Sequence, residues 1–309
     1  MHSQNTPPKF RRAAVHLAAF IFSVILGYFL ARPLMAQTPS KSSLLWKVSG
    51  NGLEKPSYLF GTYHLIRDGY LPLNGKVMQA FDRVEGVVTE TEIDSSQLGK
   101  VMGYTIMQSN LLSKLLDKQE FALVDQEVQQ LTGQPLSAMD QFKPSTVMLF
   151  MTITYVNRLA PELIKYSGEP LDQFFITEGR KRAKTITTFE TMIEQMEILY
   201  NGQSLEEQAD YLVKFVRSKE EVQKFTRELV DHYLAEDLDR MQAISKHWGD
   251  DFGGLEALVD ERNERWMQKL PGLMHQNSQF VAVGALHLPG KKGLIKLLRA
   301  QGYTVTPIH

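Results

Sequence analysis

The sequence contains no cysteine. That absence excludes a disulfide scaffold, a cysteine zinc site, an iron–sulfur cluster, a cysteine nucleophile and a lipidated cysteine. It does not by itself identify the compartment, since an exported chain long enough to bury its own core needs no bridges. An excess of positive charge is also missing. The formal net charge is −1, and residues 1–36 hold Lys9, Arg11, Arg12 and Arg32 with no acid, so the remaining 30 bases and 35 acids come to −5. A mildly acidic body gives no support for binding nucleic acid through its phosphates. No repeat of 20–50 residues and no low-complexity run lies beyond the leader. What remains, at 43% hydrophobic and 22% charged residues over 309 positions, is ordinary globular composition.

The one long apolar run, Ala13 to Ala31, follows the basic residues Lys9, Arg11 and Arg12. Residues 1–36 therefore read as an export signal cleaved after Ala36, or as a retained N-terminal anchor. Either way the positive-inside rule places the body outside the cytoplasm, in the periplasm or cell envelope, and membrane contact is expected only through an uncleaved leader.

Strand-like segments cluster at both ends of the remaining chain: Ser43–Val48, Ser57–Phe60, Gly86–Ile93 and Thr185–Phe189, then Phe280–Val283 and Tyr303–Ile308. Between them lie patterns of helical spacing. Pro144 opens an apolar helix to about Leu159, Ser204-x-x-Glu207 reads as a capping box before amphipathic helix to about Trp248, and Leu255–Leu270 reads as helix broken at Pro271-Gly272, after a turn at Gly253-Gly254. Isolated strands cannot satisfy their backbones. The expected architecture over 43–309 is thus α/β (mixed α+β): a central sheet built from both ends of the chain, with a long helical insertion or cap at about 95–184 and 191–270.

Two turns share a pattern. Tyr58-Leu59-Phe60-Gly61-Thr62-Tyr63-His64-Leu65 resembles Val281-Ala282-Val283-Gly284-Ala285-Leu286-His287-Leu288. In each, a glycine at a strand end lets the backbone turn sharply and a His follows three residues later, at the carboxyl edge where α/β sheets bind ligands. A third Gly-x-x-His, Gly272 to His275, has no strand before it. Two imidazoles need a carboxylate and an open position to form a catalytic metal site. Glu90 and Glu92, at the end of the strand Gly86–Ile93, are candidates, and the strand period of two puts them on one face. His232, His247, His275 and His309 read as incidental, and Trp46, Trp248 and Trp266 as core.

These residues look like the TraB/PrgY/GumN family, which is related to the Tiki metalloproteases, and most like its GumN-like exported bacterial members. The segments that carry the resemblance are LLWKVSGNGLEKPSYLFGTYHL (44–65), FDRVEGVVTETEID (81–94), LDQFF (171–175), FETMIEQ (189–195), ERN (261–263) and VAVGALHLPGKKGLIKLLRAQGYTV (281–305). The resemblance implies an active-site core of two Gly-x-x-His turns with an acid and an arginine, which fall here on His64, His287, Glu90 and Arg262. Thr89 departs from the family's usual apolar residue before that acid. Tiki proteins are regarded as manganese- or cobalt-dependent peptidases, whereas PrgY-type members are thought to sequester a peptide.

The expectation is then a divalent-metal-dependent hydrolase of peptide or amide bonds, with His64, His287 and Glu90 holding Mn, Co, Zn or Fe. Glu190 or Glu92 is the candidate general base, and Arg262 with Asn263 the candidate oxyanion or substrate-carboxylate ligand. The principal alternative is a non-catalytic protein that sequesters a peptide or small ligand in the same cleft. A weaker one is an accessory role in envelope polysaccharide export.

Overall fold

The computed structural model describes residues 42–249 and 256–309; the leader and the Gly253-Gly254 turn lie outside the described residues. Six strands form one sheet: β1 (Leu45–Ser49), β2 (Ser57–Thr62), β3 (Gly86–Thr89), β4 (Thr185–Thr188), β5 (Gln279–Gly284) and β6 (Thr304–Pro307). Their order is β4-β3-β5-β2-β1-β6. The first four in that order run parallel, and β1 pairs antiparallel with both β2 and β6. The sheet is therefore mixed and draws on both ends of the chain, as the distribution of strand-like segments predicts.

β2 and β5 are buried at every residue, which is why SYLFGT and QFVAVG read as continuous rather than alternating apolar runs. Their parallel register sets Phe60 beside Ala282 and Thr62 beside Gly284, while β3 sets Thr89 beside Ala282. Gln279 N also donates to Ser57 Oγ (3.0 Å) across 222 positions. Beneath the sheet, Phe60, Phe81, Phe175 and Phe280 pack ring on ring, with Phe175 and Phe280 centroids 4.7 Å apart. All four are fully buried.

Thirteen α-helices lie among the described residues. α1 (Gly75–Asp82) links β2 to β3. Between β3 and β4 come α2 (Leu98–Thr105), α3 (Leu112–Leu115), α4 (Lys118–Thr132), α5 (Pro144–Leu159) and α6 (Leu171–Lys181). Between β4 and β5 come α7 (Met192–Asn201), α8 (Leu205–Arg217), α9 (Lys219–Leu234), α10 (Leu238–Gly249), α11 (Glu261–Trp266) and α12 (Leu270–Gln276), and α13 (Leu294–Ala300) precedes β6. Local chemistry sets several of these boundaries. Asp117, Thr191 and Ser204 each close a capping box with a Glu three residues on, and Gly133 ends α4 in the left-handed conformation. The apolar α5 packs on α8 and α9, so its nearly all-round hydrophobicity is spent inside the cap. No helix among the described residues is long and apolar enough to cross a membrane.

Three local expectations are corrected. The strand at Gly86 ends at Thr89, not Ile93, so the period-two argument for Glu90 and Glu92 does not apply. Glu92 instead pairs with Arg180 through both carboxylate oxygens at the surface. The expected helix over 205–248 is three helices, separated at Ser218 and at Glu236, whose φ is +55°. The expected helix over 255–270 is a π-helical turn (Glu256–Asp260) followed by α11, and Pro271 does not break a helix but stands in the first turn of α12, where its missing N–H costs nothing.

The glycines of the two turns act by smallness rather than by a left-handed backbone; Gly284 has φ −49°. A Cβ on Gly61 would lie 2.9 Å from Ala285 Cα and 3.1 Å from its Cβ. Gly61→Ala is therefore expected to destabilise the protein by about 1–3 kcal/mol. Gly75→Ala, with no heavy atom within 4 Å of the new methyl, should be neutral or mildly stabilising. Urea unfolding of the two variants checks the contrast; equal effects would contradict the packing role.

Candidate functional site

The parallel strands end side by side, and the residues that leave them are polar and buried. β2 leads to His64, β3 to Glu90, β4 to Glu190 and β5 to His287, with relative exposures of 7%, 4%, 7% and 4%. α11 adds Arg262 and Asn263, at 1% and 0%. Five of these six sequence candidates join in one hydrogen-bonded cluster, and His64 stands beside it.

Arg262 is the centre of the cluster. Its Nη2 donates to Glu90 Oε2 (2.7 Å), its Nε to both oxygens of Glu190 (3.0 and 3.1 Å), and its Nη1 to Leu258 O (2.9 Å) and His287 Nε2 (3.1 Å). Glu90 Oε1 accepts from the Gly284 backbone N–H (2.6 Å) and lies 3.6 Å from His287 Nε2. A Cβ on Gly284 would come within 3.1 Å of that oxygen, so the second glycine also clears space for Glu90. Trp266 closes one side. Its Nε1 donates to Glu190 Oε1 (2.9 Å), and its ring packs on Phe189, His287 and the Arg262 guanidinium. The expectation that Trp266 is core is thus incomplete: it is buried, and it is a wall of the site.

His287 is fixed through Nδ1, 2.8 Å from Asn263 Oδ1. A guanidinium only donates, so Nε2 accepts from Arg262 and the ring proton sits on Nδ1. Asn263 Nδ2 donates to the backbone oxygens of His287 (3.1 Å) and Lys292 (2.9 Å). The carboxamide is spent on these contacts. Asn263 thus orients His287, which corrects the expectation of an oxyanion donor. Glu190 is likewise occupied, with Arg262, Trp266 and Arg265 (3.4 Å), and this geometry makes it an anchor rather than a general base.

His64 has a partner that the sequence reading missed. Its Nδ1 pairs with Asp172 Oδ2, and Thr62 Oγ1 donates to Asp172 Oδ1 (2.6 Å). Asp172 sits in the first turn of α6, more than a hundred residues from His64. It lies inside the LDQFF segment, but nothing in its local spacing marks it.

The charges follow from burial and neighbours. Burial pushes the Glu90 carboxyl up, but Arg262, His287 and His64 outweigh it and hold the group below the ordinary carboxylate range. Burial raises Asp172 as well, and His64 with Thr62 brings it below its usual value. Burial pushes His287 down to about 3, with Glu90 opposing and Arg262 and His64 reinforcing. His287 is thus neutral at physiological pH with its Nε2 lone pair directed at the cluster.

Imidazole and carboxylate are donor types that divalent cations take, but the described residues are not grouped to hold one. Both imidazoles are held at Nδ1 by a second group, the arrangement that orients ligating histidines, and an ionised carboxylate oxygen faces one of them. Among the described residues no three His, Asp or Glu side chains are grouped so as to hold a metal ion; the Arg262 guanidinium lies against both Glu90 and His287.

Fold and site together define an α/β protein with a buried histidine–carboxylate–arginine cluster on the carboxyl rim of its parallel strands. The model of the TraB/PrgY/gumN family matches residues 44–307, and the chain belongs to that family. No curated protein and no solved structure matches it.

The depressed His287 sets a pH dependence. The unfolded chain protonates this His below about 6.5 while the folded chain does not until about 3, so its contribution is full above pH 6.5 and is lost as pH falls toward 3. Glu90 and Asp172 act in the same direction only at lower pH, because their ordinary values lie near 4. Urea unfolding between pH 7.5 and 5 should therefore show stability falling with pH, and His287→Gln should reduce that slope by about one proton. An unchanged slope in the variant would contradict the buried neutral imidazole.

Proposed function

We propose that the protein is a divalent-metal-dependent hydrolase of peptide or amide bonds, working outside the cytoplasm in the periplasm or cell envelope. The observation that carries this reading is the neutral His287 Nε2 3.6 Å from the ionised Glu90 Oε1 at the carboxyl rim of the sheet, with His64 on the neighbouring strand end. Export rests on the basic and apolar leader of residues 1–36.

His287, Glu90 and His64 would hold the ion, and Mn, Co, Zn and Fe all suit such nitrogen and oxygen donors. When bound, the ion polarises a carbonyl and acidifies water. Asp172 fixes the His64 ring and Asn263 the His287 ring. Glu90, held below the ordinary carboxylate range, would serve that ion as its negatively charged ligand. Arg262, aimed by Glu190, would answer the negative charge that develops on the carbonyl oxygen. Trp266 and the buried sheet end keep bulk water from these charges.

A second reading, sequestration of a peptide or small ligand without turnover, is favoured by one observation: Arg262 already satisfies Glu90, Glu190 and His287 together. Metal content and peptide cleavage separate the two. Protein purified without chelator is expected to carry a divalent metal and to cleave a peptide library in a chelator-sensitive way, with activity at background in His64→Ala and His287→Ala. Peptide binding without cleavage, indifferent to chelator and to His64→Ala, would replace the hydrolase with the sequestering protein.

A further inference from the structure

The sheet ends on two edge strands, β4 and β6, and the chain treats them differently. On β6, Ile308 N donates to Leu45 O and Thr306 stands opposite Lys47, so Val305 and Pro307 turn their backbone groups away from β1. Both are guarded. Arg299 donates to Val305 O from Nε (3.1 Å) and from Nη2, and Pro307 has no N–H to offer. β4 has no such guard. Thr185 N donates to Glu85 O (3.1 Å) and Phe189 N to Thr89 O (3.0 Å), so by alternation Ile186 and Thr188 direct their N–H and C=O groups outward. Among the described residues no group donates to these or accepts from them. The strand reads Thr-Ile-Thr-Thr, exposed or half-buried throughout, with only β-branched residues and neither charge nor proline. Such an edge is a template for another strand.

We infer that β4 pairs with β4 of a second copy of this chain, antiparallel about a two-fold axis through Thr187, so that two six-stranded sheets become one. The inference goes beyond the proposed function and does not rest on it. The spacing of the open groups selects this register. Ile186 of one protomer stands opposite Thr188 of its partner, each such pair exchanges both N–H···O bonds, and no outward group of either residue is left over. The Thr187 side chains of the two protomers meet across the axis at a non-hydrogen-bonded position, where facing threonines stabilise a sheet. Charge favours the same direction. Lys181 and Arg182 lie exposed just before β4, and Glu194 lies exposed just after it in the first turn of α7. Antiparallel pairing sets the basic approach of each protomer beside the acidic exit of the other, whereas parallel pairing would set like charges side by side. The contact is isologous and closes at two copies.

The chain has no cysteine, so a single introduced one reports the register without background. The test is oxidative cross-linking of full-length Thr187→Cys and Thr185→Cys, read on non-reducing gels. Across the axis, two residues at position 187 have Cα atoms about 4.5 Å apart, within reach of a disulfide. Two at position 185 are offset by the length of the strand, about 14 Å, and cannot bridge. The expected result is a disulfide-linked dimer as the main species of Thr187→Cys and at least tenfold less in Thr185→Cys, although both side chains lie on one face of β4. Adding Thr188→Pro to Thr187→Cys removes an outward N–H and is expected to abolish the cross-link. Thr188→Lys, which puts a charge on the edge, covers the case in which the proline variant does not fold. A Thr187→Cys protein that stays monomeric would overturn the pairing. So would equal cross-linking at the two positions, or a cross-link that survives the changes at Thr188, since either marks random collision.

Discussion

Everything at the rim depends on the parallel pairing of β2 with β5. Gly61 lies beside Val283 and Thr62 beside Gly284, so the two Gly-x-x-His turns leave the sheet as neighbours although they come from opposite ends of the chain. A one-residue slip would turn every side chain of a fully buried strand to the other face, and the core on both sides forbids it. Tight contact secures the same register, because Gly61 leaves no room for a methyl against Ala285. β3 is locked to β5 in turn, which delivers Glu90 to the Gly284 backbone N–H. The long cap between the strands is compatible with this arrangement because its helices pack largely on one another and return the chain to the sheet.

The second constraint is electrostatic. Glu90, Glu190, Arg262, Asp172 and the two histidines lie within or beside the core. Buried charges of this kind seldom improve stability over a packed apolar cluster, because each must be taken out of water. They are tolerable here because each carboxylate meets a charged or N–H partner and His287 stays neutral. Such a cluster at the carboxyl ends of parallel strands is the feature on which the proposed function rests.

Much of this was legible in the sequence, and the parts that were not share a physical cause. Continuous apolar runs ending in glycine marked β2 and β5, and Ser204 with Glu207 marked the start of α8. Strand-end placement singled out Glu90, His64 and His287, the family resemblance added Arg262, and Asn263 was named beside it; the fold brings all five to one rim. Asp172 was not, because a pairing between a helix first turn and a distant imidazole leaves no local spacing to read. The roles of Glu190 and Asn263 were misjudged for the same reason: a residue type gives the hydrogen bonds a side chain can make, and only the fold says which are already taken. Glu92 looked equivalent to Glu90 only while the strand was extended past Thr89.

The most direct test of the central claim is X-ray absorption at the zinc edge of the zinc-loaded protein. Two imidazole nitrogens at about 2.0–2.1 Å with a carboxylate oxygen in the same shell is the predicted result, one nitrogen being lost in His64→Ala and one in His287→Ala. A shell of oxygens alone, unchanged by either substitution, would contradict the account.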